Sequence, residues 1–191
     1  MKEGITRCSW CGATDQLYID YHDHEWWVPV HADRVLFEFL ILEWAQAGLS
    51  WITVLRKREQ YRHHFHDWDI EKISTMTDVE LEYILLDPGI IRNRLKVYSV
   101  RKNAIVALQI QKEFGSLDAY FWNFVNQKPI INHPRSMSDF IAESEISRAI
   151  SKDLKKRGMS FVGSTIIYAY MQATGMVDDH IDGCWKKNIE T

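Results

Sequence analysis

Residues 33–62 decide the fold, and they read DRVLFEFLILEWAQAGLSWITVLRKREQYR. The segment is apolar at nearly every position from Val35 to Leu42, which predicts a helix from Asp33 to Ala47 with little polar surface. A helix that is apolar nearly all round belongs at the centre of a globular protein. Gly48 is expected to end this helix, and Ser50 can cap the next one.

Helical signals continue along the rest of the chain. The predicted helices start at the Thr77 capping box, near Arg92, at Ser116, at Ser144 and near Phe161, and they stop at Pro88-Gly89, Gly115, Gly158 and Gly175. Residues 126–139 are predicted to form a loop. No convincing alternation of apolar and polar residues indicates a strand. The sequence therefore predicts an all-α fold.

Length and composition limit the class of protein. The chain has 191 residues, of which 46% are hydrophobic, enough for one domain with a substantial core. No stretch approaches the roughly 20 apolar residues that span a bilayer, and the N-terminal MKEGITRCSW lacks the apolar core of a signal peptide. The odd number of cysteines, three, indicates a reducing compartment rather than a disulfide scaffold. We therefore expect a soluble cytoplasmic protein without a membrane partner.

The net charge of −3 does not by itself indicate a nucleic-acid partner. Charge is unevenly distributed, however. Residues 67–87 carry seven acids against one base, whereas basic residues gather in 56–62, 92–102 and 152–157. Each basic run alone is more often a solvated helix face. Together the three runs permit, without requiring, a surface that binds phosphates.

Residues of the metal-binding type lie near both chain ends. They are Cys8, Cys11, His22, His180 and Cys184. Spacing alone allows a Cys3His zinc site that uses all three cysteines with His180, or a Cys2His2 site in which His22 replaces Cys11. Unrelated buried thiols and surface histidines are the other interpretation. If a metal is bound, four protein ligands close its coordination, which indicates a structural role and not a catalytic one.

Glu43 interrupts the apolar surface of the predicted central helix. It shares a stripe with Leu36, Leu40 and Ala47, because Leu40, Glu43 and Ala47 follow Leu36 at helical spacings of four, seven and eleven residues. A carboxylate in such a position is costly unless it is paired or functional. The alternative is that the stripe reaches solvent at Glu43, and the spacing leaves both interpretations open.

Aromatic residues are frequent on both sides of Glu43 in the sequence. They are Trp10, Tyr18, Tyr21, Trp26, Trp27, Trp44 and Trp51. Most aromatic side chains simply fill a core. A flat, electron-rich pocket with one carboxylate would nevertheless suit a planar cation, because ring faces attract cations and the carboxylate accepts hydrogen bonds from an amine.

A tight connection, Asp87-Pro88-Gly89-Ile90-Ile91, joins two predicted helices. Glycine lets backbone N–H groups approach a phosphate, and the next helix adds the partial positive charge of its N-terminus. Arg92, Arg94 and Lys96 follow directly. The pattern looks like a helix-hairpin-helix, a motif that anchors a duplex without reading its sequence, although many helical proteins turn at Pro-Gly.

Six runs of the chain together resemble one family. They are YHDHEW (21–26), LFEFLILE (36–43), QAGLSWITVLRKREQYR (46–62), GIIRNRLK (89–96), FVG (161–163) and MQATGMVDDHIDGC (171–184). In this order they are similar to the 3-methyladenine DNA glycosylase I family, from about Arg7 to Cys184. This family belongs to the helix-hairpin-helix DNA glycosylase superfamily. The resemblance implies an enzyme that flips a damaged base from duplex DNA into a pocket and hydrolyses its N-glycosidic bond.

The resemblance also assigns residues to roles. It implies one structural zinc ion per chain, with the ligands Cys8, His22, His180 and Cys184. For the alkylated base it implies hydrogen bonding with Tyr21 and Glu43, stacking on Trp51, and a pocket completed by Trp10 and Tyr18. Glu43 is the implied catalytic residue. Together with the hairpin pattern it predicts DNA contacts by Gln46 and Leu49, as a wedge in the gap left by the base, and by Gly89, Ile90, Arg92 and Lys96.

For the fold, the resemblance implies a single glycosylase domain over residues 1–191. A central helical lobe would hold the helix-hairpin-helix, at about residues 77–114, and the N- and C-terminal segments would form a second lobe around zinc. The predicted helix 92–114 lacks the aspartate that other helix-hairpin-helix glycosylases commonly place after the hairpin, and no lysine nucleophile is implied. We therefore expect a monofunctional, monomeric glycosylase without strand cleavage, which acts on alkylated double-stranded DNA and releases 3-methyladenine.

Two departures from the family's pattern introduce alternatives. The family typically has glycine where this chain has Trp27 and Trp44. These indoles could pack on one another, narrow the pocket and shift its preference among alkylated purines, or lie on the outer surface. A non-catalytic helix-hairpin-helix DNA-binding protein is a second alternative, since it would keep the hairpin without needing the carboxylate. A zinc hydrolase would require three protein ligands with an open position and a nearby base.

Overall fold

The computed structural model describes residues 5–46 and 48–188. Within these ranges the helices are α1 (Gln16–His24), α2 (Asp33–Ala45), α3 (Trp51–His64), α4 (Ile70–Ser74), α5 (Asp78–Ile84), α6 (Arg94–Phe114), α7 (Leu117–Asn123), α8 (Glu145–Arg157) and α9 (Ser164–Ala173). Two short strands are β1 (Ile130–Ile131) and β2 (Val177–Asp178), and short 3₁₀ turns lie at Ser9–Cys11, His66–Trp68, Met137–Asp139 and Trp185–Asn188. Ala47, the predicted end of the central helix, lies outside the described residues. None of the described helices is both long and apolar enough to cross a membrane.

Helix α2 lies at the centre, as the sequence predicts. All the residues from Leu36 to Ala45 are buried, and the helix packs against α9, α7, α3 and α6. Each fully buried Leu, Ile or Phe side chain contributes about 1.5–3 kcal/mol of transfer free energy. The fold is therefore organised around α2, and the side chains at its C-terminal end are held in fixed positions.

Side-chain caps set the first residues of α5 and α6, the two helices on either side of the Pro88-Gly89 connection. The predicted capping box of Thr77 and Glu80 is present at the start of α5. At the start of α6, the Asn93 side chain accepts a hydrogen bond from the N–H of Lys96, at 3.1 Å. This cap makes Arg94 the first residue of α6, slightly later than the sequence predicts.

The sequence analysis missed two helices and one strand pair. Helices α1 and α4 are capped by the side chains of Asp15 and Asp69. Strand β1 pairs with β2 in parallel, with Ile130 opposite Val177, so the predicted loop 126–139 contains a strand. The described residues are thus mostly helical, with one short strand pair. The sequence analysis missed the pair because two-residue strands are too short to show an alternating pattern.

Segments from the two ends of the chain lie side by side. Gly175, which follows α9, has a φ of 76°, and a Cβ built on it would lie 2.6 Å from the backbone nitrogen of Pro29. Only glycine permits this close approach. Farther along, the N–H of Trp185 donates to the carbonyl of Thr6 at 2.9 Å. The division of the domain into two lobes stays a prediction.

Candidate active site and metal centre

Three metal-binding side chains converge where the two ends of the chain meet. Cys8, His22 and Cys184 are buried, and their ligand atoms lie within 4.8 Å of one another. His22 lies on α1, whereas Cys184 follows β2, 162 positions later in the sequence. Two thiols and an imidazole form a ligand set that zinc prefers. This group could therefore hold a metal ion between the chain ends.

His180 is a candidate for the fourth ligand, because one of its ring nitrogens has no partner. Its Nδ1 lies 2.9 Å from Asp178 Oδ1, and its Nε2 is buried without a hydrogen-bond partner among the described residues. The ring centroid of His180 lies 5.2 Å from that of His22. An unpartnered buried nitrogen is costly. His180 does not belong to the group whose ligand atoms all lie within 4.8 Å of one another, so its place as the fourth ligand stays a prediction.

Carboxylates orient both histidines. The Nδ1 of His22 lies 2.8 Å from Asp23 Oδ1, an arrangement that matches His180 with Asp178. Metal-bound histidines typically give their second ring nitrogen to a carboxylate in this way. Although burial opposes it, hydrogen bonds from Arg7 and His22 keep the pKa of Asp23 below its ordinary value. Asp23 therefore stays charged and fixes His22 with Nε2 toward the thiols.

Cys11 lies outside this ligand group. Its thiol donates to the carbonyl oxygen of Cys8, with a distance of 3.2 Å between sulfur and oxygen. Of the two ligand sets that spacing allows, the geometry favours the set with His22, which is also the set implied by the resemblance. A hydrogen bond from the Cys8 thiol keeps the pKa of Cys184 below its ordinary value, which favours the thiolate form that binds metals.

Two consecutive tryptophans enclose His180. The ring centroids of Trp26 and Trp27 lie 4.5 Å and 5.5 Å from that of the imidazole. Trp27 has a φ of 66°, a left-handed conformation that glycine adopts without strain. A non-glycine residue there costs about 1–3 kcal/mol. At this strained position Trp27 provides a buried indole that covers His180, one of the candidate ligands.

Trp44 lies in a different environment from Trp27. It is buried and stacks on Phe161, with ring centroids 5.4 Å apart and an angle of 26° between the planes. The interpretation that the two unusual indoles pack on one another is therefore wrong, and so is the interpretation that they lie on the outer surface.

A cavity of about 230 Å³ opens beside the C-terminal end of α2. The residues that the resemblance assigns to base binding all line it, namely Trp10, Tyr18, Tyr21, Glu43 and Trp51. They come from α1, α2, α3 and the segment before α1. The fold thus brings these side chains together, while their individual roles stay predictions.

Among the described residues that line the cavity, Glu43 is the only one with an acidic side chain. It is 6% exposed, which excludes the alternative that its stripe reaches solvent. Burial raises the pKa of Glu43 to about 8, and no charge or hydrogen bond from the described residues offsets this effect. A buried carboxyl group without a partner is a site for a cation or a hydrogen-bond donor.

Aromatic rings form the walls of the cavity. The ring centroids of Tyr21 and Trp51 are 5.4 Å apart, and those of Trp10 and Trp26 are 4.8 Å apart. Burial and, secondarily, the neighbouring Glu43 keep the pKa of Tyr21 well above its ordinary value, so its phenol remains a hydrogen-bond donor. Flat ring faces, a phenol and a carboxyl group together suit a planar base with an exocyclic amine.

Four further residues line the cavity that the sequence analysis did not single out, namely Met137, Phe140, Ala169 and Gln172. Trp26, a member of the aromatic cluster predicted around Glu43, lines it as well. Met137 and Phe140 lie in the predicted loop, where no periodic pattern marks them. Gln172 is different, because it belongs to the run MQATGMVDDHIDGC. A signal for Gln172 was therefore present in the sequence, whereas none marked the two loop residues.

The predicted wedge residues follow α2. Gln46 is half-buried and lines the cavity, and Leu49 is 43% exposed. An exposed apolar side chain close in sequence to the cavity wall has the character required to fill a gap between bases. Insertion of either side chain into a duplex stays a prediction.

The connection between α5 and α6 is a tight hairpin. A Cβ at Gly89 would lie 2.6 Å from Cγ of Gln60, which leaves little room for any other residue. The N–H of Gly89 donates to Asp87 Oδ1 at 2.6 Å, and the N–H of Ile90 donates to the Asp87 carbonyl. The Ile90 side chain is buried. A phosphate at this hairpin would therefore have to compete with the Asp87 carboxylate.

The two basic residues assigned to DNA contact differ in position. Arg92 is exposed. Lys96 is 8% exposed, and its Nζ donates to the carbonyl of Ala45 at 3.0 Å and lies 5.9 Å from the ring centroid of Trp44. This position does not fit the predicted contact of Lys96 with a phosphate. Its charge instead stabilises the carbonyl end of α2.

Comparisons with known proteins agree with this geometry. The sequence pattern of the family described as "Methyladenine glycosylase" matches residues 10–187. A DNA-3-methyladenine glycosylase of Haemophilus influenzae is 46% identical over 179 residues, which cover 94% of this chain and 96% of that protein. A solved 3-methyladenine DNA glycosylase I superposes with a TM-score of 0.90 at 46% identity, covering 94% of this chain and 98% of the other. The enzyme of Staphylococcus aureus, whose structure is described as the basis of 3-methyladenine recognition, gives 0.91 at 34% identity, over 94% of this chain and 96% of that one. The chain therefore belongs to the methyladenine glycosylase family.

Proposed function

We propose that this protein hydrolyses the N-glycosidic bond of 3-methyladenine in alkylated double-stranded DNA. The observation that carries the proposal is Glu43, a buried carboxyl group without a partner in a cavity walled by aromatic rings. Membership of the methyladenine glycosylase family supports the same reaction.

Recognition would depend on both charge and shape. Methylation at N3 gives the adenine a positive charge while it is attached to the sugar, and the base must be flipped out of the duplex to enter the cavity. We infer that Trp51 stacks on the flipped base while Tyr21 and Glu43 hydrogen-bond to it, with Trp10 and Tyr18 completing the wall. A cation beside Glu43 lowers the pKa of its carboxyl group from about 8. Binding of the charged base thus converts Glu43 to a carboxylate.

The proposed reaction requires only water as a second reactant. The glycosidic bond breaks with its electron pair on the base, which leaves as neutral 3-methyladenine. Because the base is already cationic, it needs no protonation to leave. Positive charge then develops at C1′ of the sugar, where a water molecule adds and releases one proton. Glu43 contributes by holding the charged base in place until the bond breaks.

We propose that the enzyme is monofunctional. Strand cleavage by a lyase step would need an amine that forms a covalent bond with the sugar. Among the described residues of the cavity wall there is no lysine, and the amino group of Lys96 is bound to the Ala45 carbonyl. The only acidic residue of helix α6 is Glu113. It pairs with Arg157 and lies at the end of the helix away from the hairpin.

The ligand group near the chain ends fits one structural zinc ion. Its ligands would be Cys8, His22, His180 and Cys184, which leave no open position. The ion would cross-link the two end segments and supply no chemistry to the reaction. We expect elemental analysis to find one zinc per chain in Cys11→Ala and none in His22→Ala. The opposite result would identify Cys11 as the ligand.

Loss of the ion is expected to affect stability more than activity. Cys184→Ala should lower the melting temperature strongly, because it opens the link between the chain ends. The specific activity of the remaining folded fraction should fall much less. A large loss of specific activity in a Cys184→Ala protein that is still fully folded would show instead that the ion takes part in the reaction.

For DNA binding we propose that the hairpin and Arg92 contact the phosphates of the duplex. Gln46 and Leu49 would act as the wedge that fills the gap left by the flipped base. We expect the protein to act as a monomer.

Gly89→Leu adds a side chain where even a Cβ would lie 2.6 Å from Gln60, so it should weaken binding to every duplex alike. Arg92→Ala should flatten the salt dependence of binding, because one phosphate contact is lost. An effect confined to one sequence context would count against the hairpin.

The alternative functions receive less support. Neither Trp27 nor Trp44 lines the cavity, so the idea that these indoles shift the preference among alkylated purines has no geometric basis. A non-catalytic DNA-binding protein would have no use for Glu43, whose burial without a partner costs stability.

Release of free 3-methyladenine from methylated duplex DNA is the deciding measurement. The parent protein should release the base, and a chelator should slow release only as far as it unfolds the protein. Glu43→Gln should release much less. If the folded parent binds duplex DNA but releases no base, the non-catalytic alternative is correct. If Glu43→Gln is as active as the parent, the active site has been misplaced.

A further inference from the structure

Helix α9 contributes a polar side chain, Gln172, to the wall of the proposed base pocket. Gln172 lies near the C-terminal end of α9 and lines the same cavity. Its amide can offer a carbonyl oxygen as an acceptor and an NH₂ group as a donor. Which of the two faces a bound base depends on how the amide is held.

The orientation of the Gln172 amide is set by a buried carboxylate. Its Nε2 donates to Asp179 Oδ2 at 2.6 Å, and Asp179 is 3% exposed. The same carboxyl group accepts from Tyr168 and Asn132 as well, so it is surrounded by donors and the nitrogen is the end of the Gln172 amide bound to it. Oε1 has no hydrogen-bond partner among the described residues and is the end of the amide that can accept from a ligand.

Asp179 is itself held by two other donors. The hydroxyl of Tyr168 and the Nδ2 of Asn132 each donate to it at 2.7 Å. Burial and the hydrogen bond to Asp179 keep the pKa of Tyr168 above its ordinary value, so the phenol remains a donor. The main chain at Gln172 is fixed as well, because its carbonyl accepts from the N–H of Trp27 at 3.1 Å. The Gln172 residue is thus restrained at its main chain, by Trp27, and at its side-chain nitrogen, by Asp179.

Glu43 alone cannot distinguish a 6-amino purine from a 6-oxo purine at every pH. Because burial raises its pKa to about 8, its protonated form donates to an oxo group, while its ionised form accepts from an amine. Gln172 does not titrate, so its acceptor is present in either state. A 6-oxo purine would place one carbonyl oxygen against another and leave both without a donor, which disfavours binding.

We propose that Gln172 is a specificity-determining residue, oriented by Asp179 as a positioning residue, which accepts a hydrogen bond from the exocyclic amine of the bound purine. The pocket thereby selects 6-amino over 6-oxo alkylated purines, that is, 3-methyladenine over 3-methylguanine. This inference rests on the proposed function and names the chemical feature that the pocket reads.

The test is the ratio of excision rates for 3-methyladenine and 3-methylguanine, each placed in the same duplex. Gln172→Met keeps the length of the side chain and removes the acceptor, so it should lower this ratio roughly tenfold. Gln111→Met is the matched control, because Gln111 makes the same bond, Nε2 to Asp33 Oδ2 at 2.6 Å, away from the cavity. The control should leave the ratio unchanged.

Asp179→Asn tests the positioning role. Its amide can present a donor to Gln172, so the glutamine can turn its NH₂ group toward the pocket and the ratio should fall in the same direction as in Gln172→Met. A purely structural effect would reduce both excision rates together and leave the ratio unchanged.

The outcomes separate this inference from the proposed function. An unchanged ratio in Gln172→Met, with the parent active on 3-methyladenine, would overturn the assignment of Gln172 and leave the glycosylase function intact. A folded parent that excises neither base would overturn both. Titration of the free bases into each variant provides a second readout, in which Gln172→Met should lose affinity for 3-methyladenine more than for 3-methylguanine.

Discussion

The two halves of helix α2 each bury one carboxyl group, and they treat it in opposite ways. Glu38 is 2% exposed and Glu43 is 6% exposed, so both are removed from water to a similar extent. The pKa of Glu38 is nevertheless lowered, whereas the pKa of Glu43 is raised to about 8. The difference lies in what the rest of the fold provides to each residue.

Glu38 has its partners within the protein. Arg58 and Arg62 each donate from Nε to Glu38 Oε1, at 2.7 and 2.8 Å, and Arg58 also binds Glu25. Although burial opposes it, the hydrogen bonds from the two arginines keep the pKa of Glu38 below its ordinary value. This carboxylate joins α2 to α3, and its role is complete without a ligand.

Glu43 has no such partner among the described residues. Burial raises its pKa, and no charge or hydrogen bond from the described residues opposes this effect. Its position on a cavity wall leaves room for a ligand to supply the missing charge. The comparison shows how a carboxyl group with partners inside the protein differs from one without them. Both are buried, but only Glu43 lacks a partner among the described residues, which is the property expected of the ligand-binding residue proposed above.

The largest expected effect is on stability, at Glu38. Glu38→Gln keeps the size of the side chain but leaves two arginines without their buried counter-charge, and breaking a buried pair from one side costs about 3–5 kcal/mol. Urea unfolding at pH 7 measures this free energy. Glu43→Gln is the matched control on the same helix and should lose little or no stability. Equal destabilisation of the two variants would remove the distinction between them.

The next effect is on ligand affinity, at Glu43. Above pH 8, where Glu43 is ionised, Glu43→Gln should weaken binding of 3-methyladenine by about 1.5–3 kcal/mol, which is roughly tenfold to over a hundredfold. Calorimetric titration measures this change, and binding to undamaged duplex should stay almost constant because the hairpin supplies that contact. The folded fraction of Glu38→Gln should bind the base normally. Retained affinity in Glu43→Gln would show that Glu43 is a buried acid without a role in recognition.

The pH dependence of stability should have opposite signs for the two residues. The raised pKa of Glu43 means that its neutral form is favoured in the folded state, so its contribution is fully present below the ordinary value of 4.5 and is lost as pH rises through about 8. Glu43→Gln should therefore gain stability relative to the parent between pH 5 and pH 9. For Glu38, whose pKa is lowered, the contribution is present above its ordinary value and is lost as pH falls below it. Unfolding curves of the two variants that shift in the same direction with pH would contradict this assignment.

The smallest expected effect is at Glu25, the outer partner of Arg58. Its side chain is 40% exposed, and an exposed ion pair contributes about 0–1 kcal/mol. Glu25→Gln should therefore change the free energy of unfolding by less than about a third of the Glu38→Gln effect. A comparable loss would mean that the outer pair, and not Glu38, holds Arg58 in place.

The sequence predicted Glu43 but not Glu38, and the reason is physical. The apolar stripe and the resemblance singled out Glu43, whereas the role of Glu38 depends on Arg58 and Arg62, which belong to another helix. The central position of α2 followed from its composition alone, because a helix without a polar face has to be buried. Contacts between distant segments leave no such local pattern.

The same limit explains the other differences between prediction and structure. Met137 and Phe140 reach the cavity from a loop without periodicity, and the two-residue strands show no alternation. Lys96 follows the hairpin in a basic run, and only its contact with the Ala45 carbonyl reveals that it turns inward. The candidate metal ligands were visible in the sequence as cysteines and histidines, but the orientation of His180 depends on its contact with Asp178, which the sequence did not reveal.

The central position of α2 has a consequence for synthesis on the ribosome. Its ten buried residues leave the exit tunnel long before α9, against which they pack, and before Cys184, which joins Cys8 and His22. During that interval only the helices α3, α6 and α7 are available to cover this apolar segment, and apolar surface that stays exposed favours aggregation. Slow translation of the C-terminal third should therefore increase the dependence of this protein on chaperones, and chains that stop before Cys184 should be efficient substrates for proteolysis.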